Sequence, residues 1–173
     1  SEMPYEYFEE RSRNFFQILS DKGMKHNFTP VLELDALNRY IYDTNLLEGL
    51  LDDYPNIRLC LDFGRIHLQD CIDHNFSGLD IVKKFGKYAH LVHLWNARIS
   101  ETGHYPALSS LKPEDGWGDM EAYFRTLNEV NGSYKVLFEH KSHLISDAEL
   151  EECYQWVDRL CSLGSGGIMY EQV

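Results

Sequence analysis

The sequence predicts an α/β fold of repeated parallel βα units, and three observations predict it. Short apolar runs alternate along the chain with longer segments of helical period. The runs are rich in apolar residues nearly throughout, as expected for strands covered on both faces. The 173 residues contain no low-complexity segment and no charge block, which suggests one domain spanning 1–173. Strands that alternate with helices imply right-handed βαβ crossovers and a parallel sheet.

Residues 5–22 read as the first helix, with Tyr7, Phe8, Phe15, Ile18 and Leu19 as core positions. The first strand is "TPVLEL" (29–34). A helix over 44–54 follows, starting at Thr44 and stopping near Pro55. "IRLCLD" (57–62) is the second strand, and 77–88 the next helix, with Leu79, Ile81, Val82 and Phe85 inward. "HLVHLW" (90–95) is the third strand. After it, 96–118 has no clear period, and so long a connection in a compact domain is usually functional or disordered. Its "GHYPALSSLKPEDGWGD" suits a folded active-site loop. A helix over 118–130 carries Met120, Tyr123, Phe124 and Leu127. "YKVLFEH" (134–140) is the fourth strand, and the helix over 146–162 opens with Ser146 and Glu149, a capping-box spacing.

Side chains alternate between the two faces of a strand. One phase reads Leu32 and Leu34, Leu59 and Leu61, Val92 and Leu94, Val136 and Phe138, all apolar, as a helix-covered face requires. The other phase reads Val31 then Glu33, Cys60 then Asp62, Leu91 then His93, Leu137 then Glu139. Each pair passes from apolar to ionisable toward the C-terminal end, and in a parallel sheet those ends lie side by side. A single strand-end carboxylate is usually a loop residue, a helix cap or an ion-pair partner, and a lone His is usually structural. Four in one phase are harder to dismiss. Three converging acids repel unless a counter-charge is present, and a divalent cation would supply it. Three carboxylates and an imidazole suit Mn²⁺, Mg²⁺ or Co²⁺, with Zn²⁺ also compatible.

The formal net charge is −12. Nucleic-acid binders are usually basic, because phosphate neutralisation supplies most of their affinity, so neither nucleic acid nor an anionic membrane is an expected partner. No segment has the apolar length of a membrane span. "SEMPYEYFEERSRNFF" lacks the basic and apolar regions of a secretory signal. Cys60, Cys71, Cys153 and Cys161 form no C-x-x-C pair, so reduced thiols that pack as small apolar groups are expected, in a cytoplasmic protein.

"VLEL", "LCLDFGRIH", "LVHLWNAR…GHYP…DGWGD" and "VLFEH" resemble the last four βα units of the xylose-isomerase-like TIM barrels. That superfamily includes sugar isomerases and epimerases, inosose dehydratases and metal-dependent apurinic endonucleases. The resemblance covers nearly the whole chain and is specific for superfamily rather than substrate. It implies half of a (β/α)8 barrel, strands five to eight, with one divalent metal held by Glu33, Asp62, His93 and Glu139. It further implies a metal-dependent isomerase or epimerase of carbohydrate metabolism, acting on a small sugar or polyol. Glu33 and Glu139 would exchange the carbon-bound proton through an enediolate.

The chain departs from the family's pattern in places. The family places a His three residues after the metal-binding Asp, where Arg65 stands here, with His67 two residues further on. Either is a candidate substrate contact; Arg65 suits a carboxylate or phosphate, or an ion pair with a neighbouring acid. Trp95 and Asn96 replace the family's common Lys-Asp; Trp95 is a candidate for stacking on a sugar face or for packing. His104 resembles a ligand or substrate contact of some members. Together with Tyr105 and Trp117, Trp95 and His104 are expected to wall the metal mouth under the 96–118 loop.

Other functions remain open beside this one: a polyol dehydratase of the inosose type, an apurinic endonuclease (which the net charge opposes), and a non-catalytic binding module. Four parallel strands leave two unpaired edges, and Val31, Cys60, Leu91 and Leu137 lack a facing layer. The expectation is therefore that an N-terminal half-barrel, or a second copy in a homodimer, completes the barrel.

Overall fold

The computed structural model describes residues 3–34, 39–42 and 45–162. In chain order the elements are α1 (Tyr5–His26), β1 (Val31–Leu34), the single turn α2 (Arg39–Tyr42), α3 (Leu46–Asp53), β2 (Arg58–Asp62), α4 (Phe63–Ile72) and α5 (Gly78–Phe85). They continue with β3 (Ala89–Leu94), β4 (Asn96–Arg98), β5 (Glu101–Tyr105), α6 (Met120–Val130), β6 (Lys135–Phe138) and α7 (Asp147–Ser162). The proposed helix start at Thr44 lies outside the described residues.

The strands β1, β2, β3 and β6 form one parallel sheet in that order. Strand order follows chain order without reversal, so right-handed crossovers lay the connecting helices on one face. Successive helices accordingly touch: α4 with α5, α5 with α6, and α6 with α7. Leu34, Leu59, Leu61, Val92 and Leu94 are buried beneath this layer, against Leu50, Ile66, Val82, Phe85 and Phe124. Each such side chain contributes about 1.5–3 kcal/mol of burial free energy. Phe63 joins the layer through Tyr123 and Phe124, with ring centroids 5.2 Å apart in both pairs.

Among the described residues no helix covers the opposite face. Val31 and Leu137 are each 38% exposed, Leu91 is half-buried, and Cys60 alone of that row is closed off. One irregularity decides which side chains reach this face. Leu59 pairs with Ala89 but Cys60 with Leu91, so His90 is an extra residue, a bulge in β3. With the earlier offset Asp62 would lie beside Val92. The bulge brings it beside His93 instead.

Several expectations need correction. Residues 63–72 form α4, which the apolar pattern does not signal: the segment has Gly64 in its first turn, and only Phe63, Gly64 and Ile66 of its residues are buried. It is stabilised by the Asp62 side chain, which accepts the Arg65 N–H at 2.9 Å, and by burial of Phe63 and Ile66. On α1 the buried face carries Phe16, Ser20 and Gly23, while Tyr7, Phe15 and Ile18 are exposed, as is Leu79 on α5. The 96–118 connection is not structureless, since β4 and β5 pair as an antiparallel hairpin. The Ser146–Glu149 capping box is present: Ser146 donates its N–H and hydroxyl to Glu149 at 2.9 and 2.7 Å. All four cysteines are free thiols. Among the described residues no helix is long and apolar enough to cross a membrane.

Candidate metal centre

Glu33 lies on β1, Asp62 ends β2, His93 lies on β3, and Glu139 follows β6 by one residue. The backbone N–H of Glu139 donates to Leu94 O at 3.0 Å, which continues the β3–β6 pairing and holds Glu139 at the sheet end. One donor atom from each of the four residues lies within 4.8 Å of the others. His93 Nδ1 stands 3.3 Å from Glu33 Oε1 and 3.2 Å from Glu139 Oε2. Asp62 is 1% exposed. The His93 side chain is 15% exposed and those of Glu33 and Glu139 are 45% and 42% exposed. Asp62 and His93 thus form a floor, with the glutamates as a solvent-facing rim.

Burial pushes the Asp62 carboxyl above the usual carboxylate range, and the Glu139 and Glu33 charges add to this. The Arg65 N–H and the nearby Trp95 indole oppose the shift. The indole Nε1 itself has no hydrogen-bond partner of normal geometry, so it acts on Asp62 as a neighbouring dipole. Cys60, beneath the cluster, is pushed up to about 12 by burial and by the same three carboxylates. Among the described residues His93, and no Lys or Arg, lies within ion-pair distance of Glu33 and Glu139.

This donor set fits a divalent cation. Bonds of roughly 2.0–2.4 Å place neighbouring ligands about 3 Å apart and opposed ligands at up to about twice the bond length. The observed spacing lies inside those limits, and the excess negative charge is what a cation would offset.

Arg65 is exposed on the first turn of α4, with its guanidinium 5.6 Å from the centre of the Trp95 ring. Trp95 is fully buried, and both its faces are occupied. His104 stacks on one at 4.0 Å. The other lies so close to Gly64 that a Cβ there would meet the indole at 2.3 Å, so only glycine fits. Trp95 therefore packs and offers no open ring face to a sugar. His104 holds this stack from a left-handed backbone, φ 58°, uncommon for a residue with a side chain. Its carbonyl accepts the Lys141 N–H at 2.9 Å, which ties β5 to the segment carrying Glu139. His67 Nε2 lies 3.2 Å from Gly116 O, and burial lowers the imidazole pKa. Trp117 is buried between Arg98 at 5.0 Å and Tyr105 at 5.2 Å.

Sequence reasoning gave Asn96 no role of its own. It is 1% exposed, and its Oδ1 accepts from Ala97 N at 2.8 Å and Gly118 N at 2.9 Å. Its amide also donates to Gly118 O at 3.3 Å, which closes the base of the 96–118 segment. The available signal was a polar residue directly after an apolar strand. Comparison with protein-family models, with curated proteins and with solved structures finds no match for the chain.

Proposed function

We propose that the chain holds one divalent cation, Mn²⁺, Mg²⁺ or Co²⁺ with Zn²⁺ also compatible, between Glu33, Asp62, His93 and Glu139. We further propose that it isomerises or epimerises a small sugar or polyol. The observation that carries this reading is the convergence of four donors from four strand ends. When bound, the cation would polarise a substrate carbonyl. Glu33 and Glu139, on the exposed rim, would take up and return a proton at the adjacent carbon through an enediolate. Asp62 is buried and committed to the α4 cap, which suits a fixed ligand rather than a proton carrier. His93 Nδ1 lies 3.3 Å from Glu33 Oε1 and 3.2 Å from Glu139 Oε2, where the neutral imidazole would serve as the nitrogen ligand between them.

The proposed enzyme is half of a (β/α)8 barrel completed by a second half, either an N-terminal half-barrel or a second copy of the chain. Three features support this part of the reading. The strand order runs without reversal, as in a singly wound barrel. Among the described residues no layer covers the row of Val31, Leu91 and Leu137, and β1 and β6 are the sheet's outer strands.

Calorimetric titration of Mn²⁺ into the chelator-treated chain tests the first claim. One site per chain is expected, weakened at least tenfold in His93→Ala. No binding, or equal binding by the variant, would sink it. Activity is tested with a panel of ketoses in D₂O, followed by NMR. Deuterium entry at the carbon beside the carbonyl is expected in the wild type and not in Glu139→Gln. A product formed with loss of water would assign elimination instead.

A further inference from the structure

The inner face of the sheet changes character along the strands. Its C-terminal end carries the three carboxylates. At its N-terminal end, around the starts of β1, β2, β3 and β6, lies a cavity of about 360 Å³. Among the described residues no Asp or Glu lines it, although the chain has 28 acidic residues against 16 Lys and Arg. Arg58 and His90 line it, with the hydroxyl residues Thr29 and Ser133.

Two buttressed amides shape the walls. Asn56 Oδ1 accepts the Ser20 hydroxyl at 2.8 Å, and its amide donates to Ser20 O at 3.1 Å. The Asn131 amide donates to Gly86 O and Ala89 O, both at 2.8 Å, while its Oδ1 accepts the Ser133 N–H at 2.8 Å. Arg58 Nη2 donates to Lys87 O at 3.3 Å, and among the described residues no other hydrogen bond engages its guanidinium, which lines the cavity. His90 is there because it is the extra residue of the β3 bulge, and a bulge re-aims a side chain that a regular ladder would place elsewhere.

The geometry points to a binding site for a tetrahedral oxyanion, either inorganic phosphate or the phosphate group of a small molecule, anchored by Arg58 and flanked by His90, Thr29 and Ser133. Guanidinium is the side chain best matched to such oxygens. The donors come from four chain segments and so from several directions, which suits a tetrahedral ion better than a planar carboxylate. Asp62 lies four residues along β2 from Arg58, roughly 13 Å at strand rise. That exceeds the screening length of about 8 Å at physiological salt, so local donors outweigh the distant carboxylates.

The site is independent of the proposed cation centre, and its test keeps the two apart. Inorganic phosphate, glycerol 2-phosphate, sulfate and acetate are titrated separately into the chelator-treated chain at constant ionic strength, followed by calorimetry. Saturable binding at one site per chain is expected for the tetrahedral ions, and at least tenfold weaker for acetate. Tighter binding of glycerol 2-phosphate than of inorganic phosphate would identify a phosphorylated small molecule as the ligand, and the reverse the free ion. Arg58→Gln should weaken binding at least tenfold, Arg58→Lys and His90→Gln about threefold, and Glu139→Gln not at all. Circular dichroism checks each variant's fold, and Arg58→Lys with His90→Gln decide the matter if Arg58→Gln does not fold. No saturable binding to the wild type, unchanged binding in the folded Arg58 and His90 variants, or loss in Glu139→Gln would overturn the proposal.

Discussion

Asp62 accepts the Arg65 N–H at 2.9 Å and thereby caps α4, while also standing among the candidate cation ligands. The two roles are separable, because Asn caps a helix about as well as Asp but is a poorer ligand for a hard cation. Asp62→Asn also removes a buried charge. In urea titrations without metal, the variant is expected to be at least as stable as the wild type. Its Mn²⁺ affinity is expected to fall at least tenfold. Asp62→Ala should lose the cap as well, at about 1 kcal/mol. The four donors were legible because strand alternation depends on sequence alone and their spacing kept one phase. The Trp95 sandwich was not. Its two covering residues, Gly64 and His104, come from different elements, and a left-handed φ at a histidine leaves no mark in composition.

The capping box of α7 ties its stability to pH. The Ser146 N–H and hydroxyl hold the Glu149 carboxyl below the usual range. A carboxylate whose folded pKa is depressed stabilises the fold above its unfolded pKa, and that stabilisation is lost as pH falls through the folded value. The Tm difference between wild type and Glu149→Ala should therefore be full at neutral pH and shrink in acid, below the ordinary glutamate range. A constant difference would contradict it. The β4–β5 hairpin depends on Asn96 in another way. Replacing it with Ala leaves the buried Gly118 N–H without its partner and weakens the closure of the segment. An unsatisfied buried group costs about 1–3 kcal/mol. Asn96→Ala should therefore lower stability by about that amount in denaturant titrations, with faster proteolysis inside 96–118. The capping box could be read directly, since it is a local spacing. The hairpin could not, because its strands are short, carry mixed polar residues, and depend on a side-chain bond to a glycine far along the chain.

At the scale of the whole molecule, the alternation of strands and helices made the parallel sheet and its strand order legible. The bulge in β3 was invisible, because it depends on how two strands align rather than on either alone. The exposed row on the sheet and the exposed Tyr7, Phe15 and Ile18 of α1 lead us to expect self-association of the isolated chain. Light scattering should show a dimer or larger species, and Val31→Lys with Leu137→Lys should shift it toward monomer. A monodisperse wild-type monomer would refute this. Glu33 lies on one of the two outermost strands of the four, and Glu139 directly follows the other. A cation held by both would cross-link the sheet's opposite margins and close a loop of roughly a hundred residues, where chain entropy makes a removable staple most effective. The ion would then act like the pin of a fan: drawn out, it would leave the outer blades to fray independently, and replaced, it would make opening of either one a loss for both.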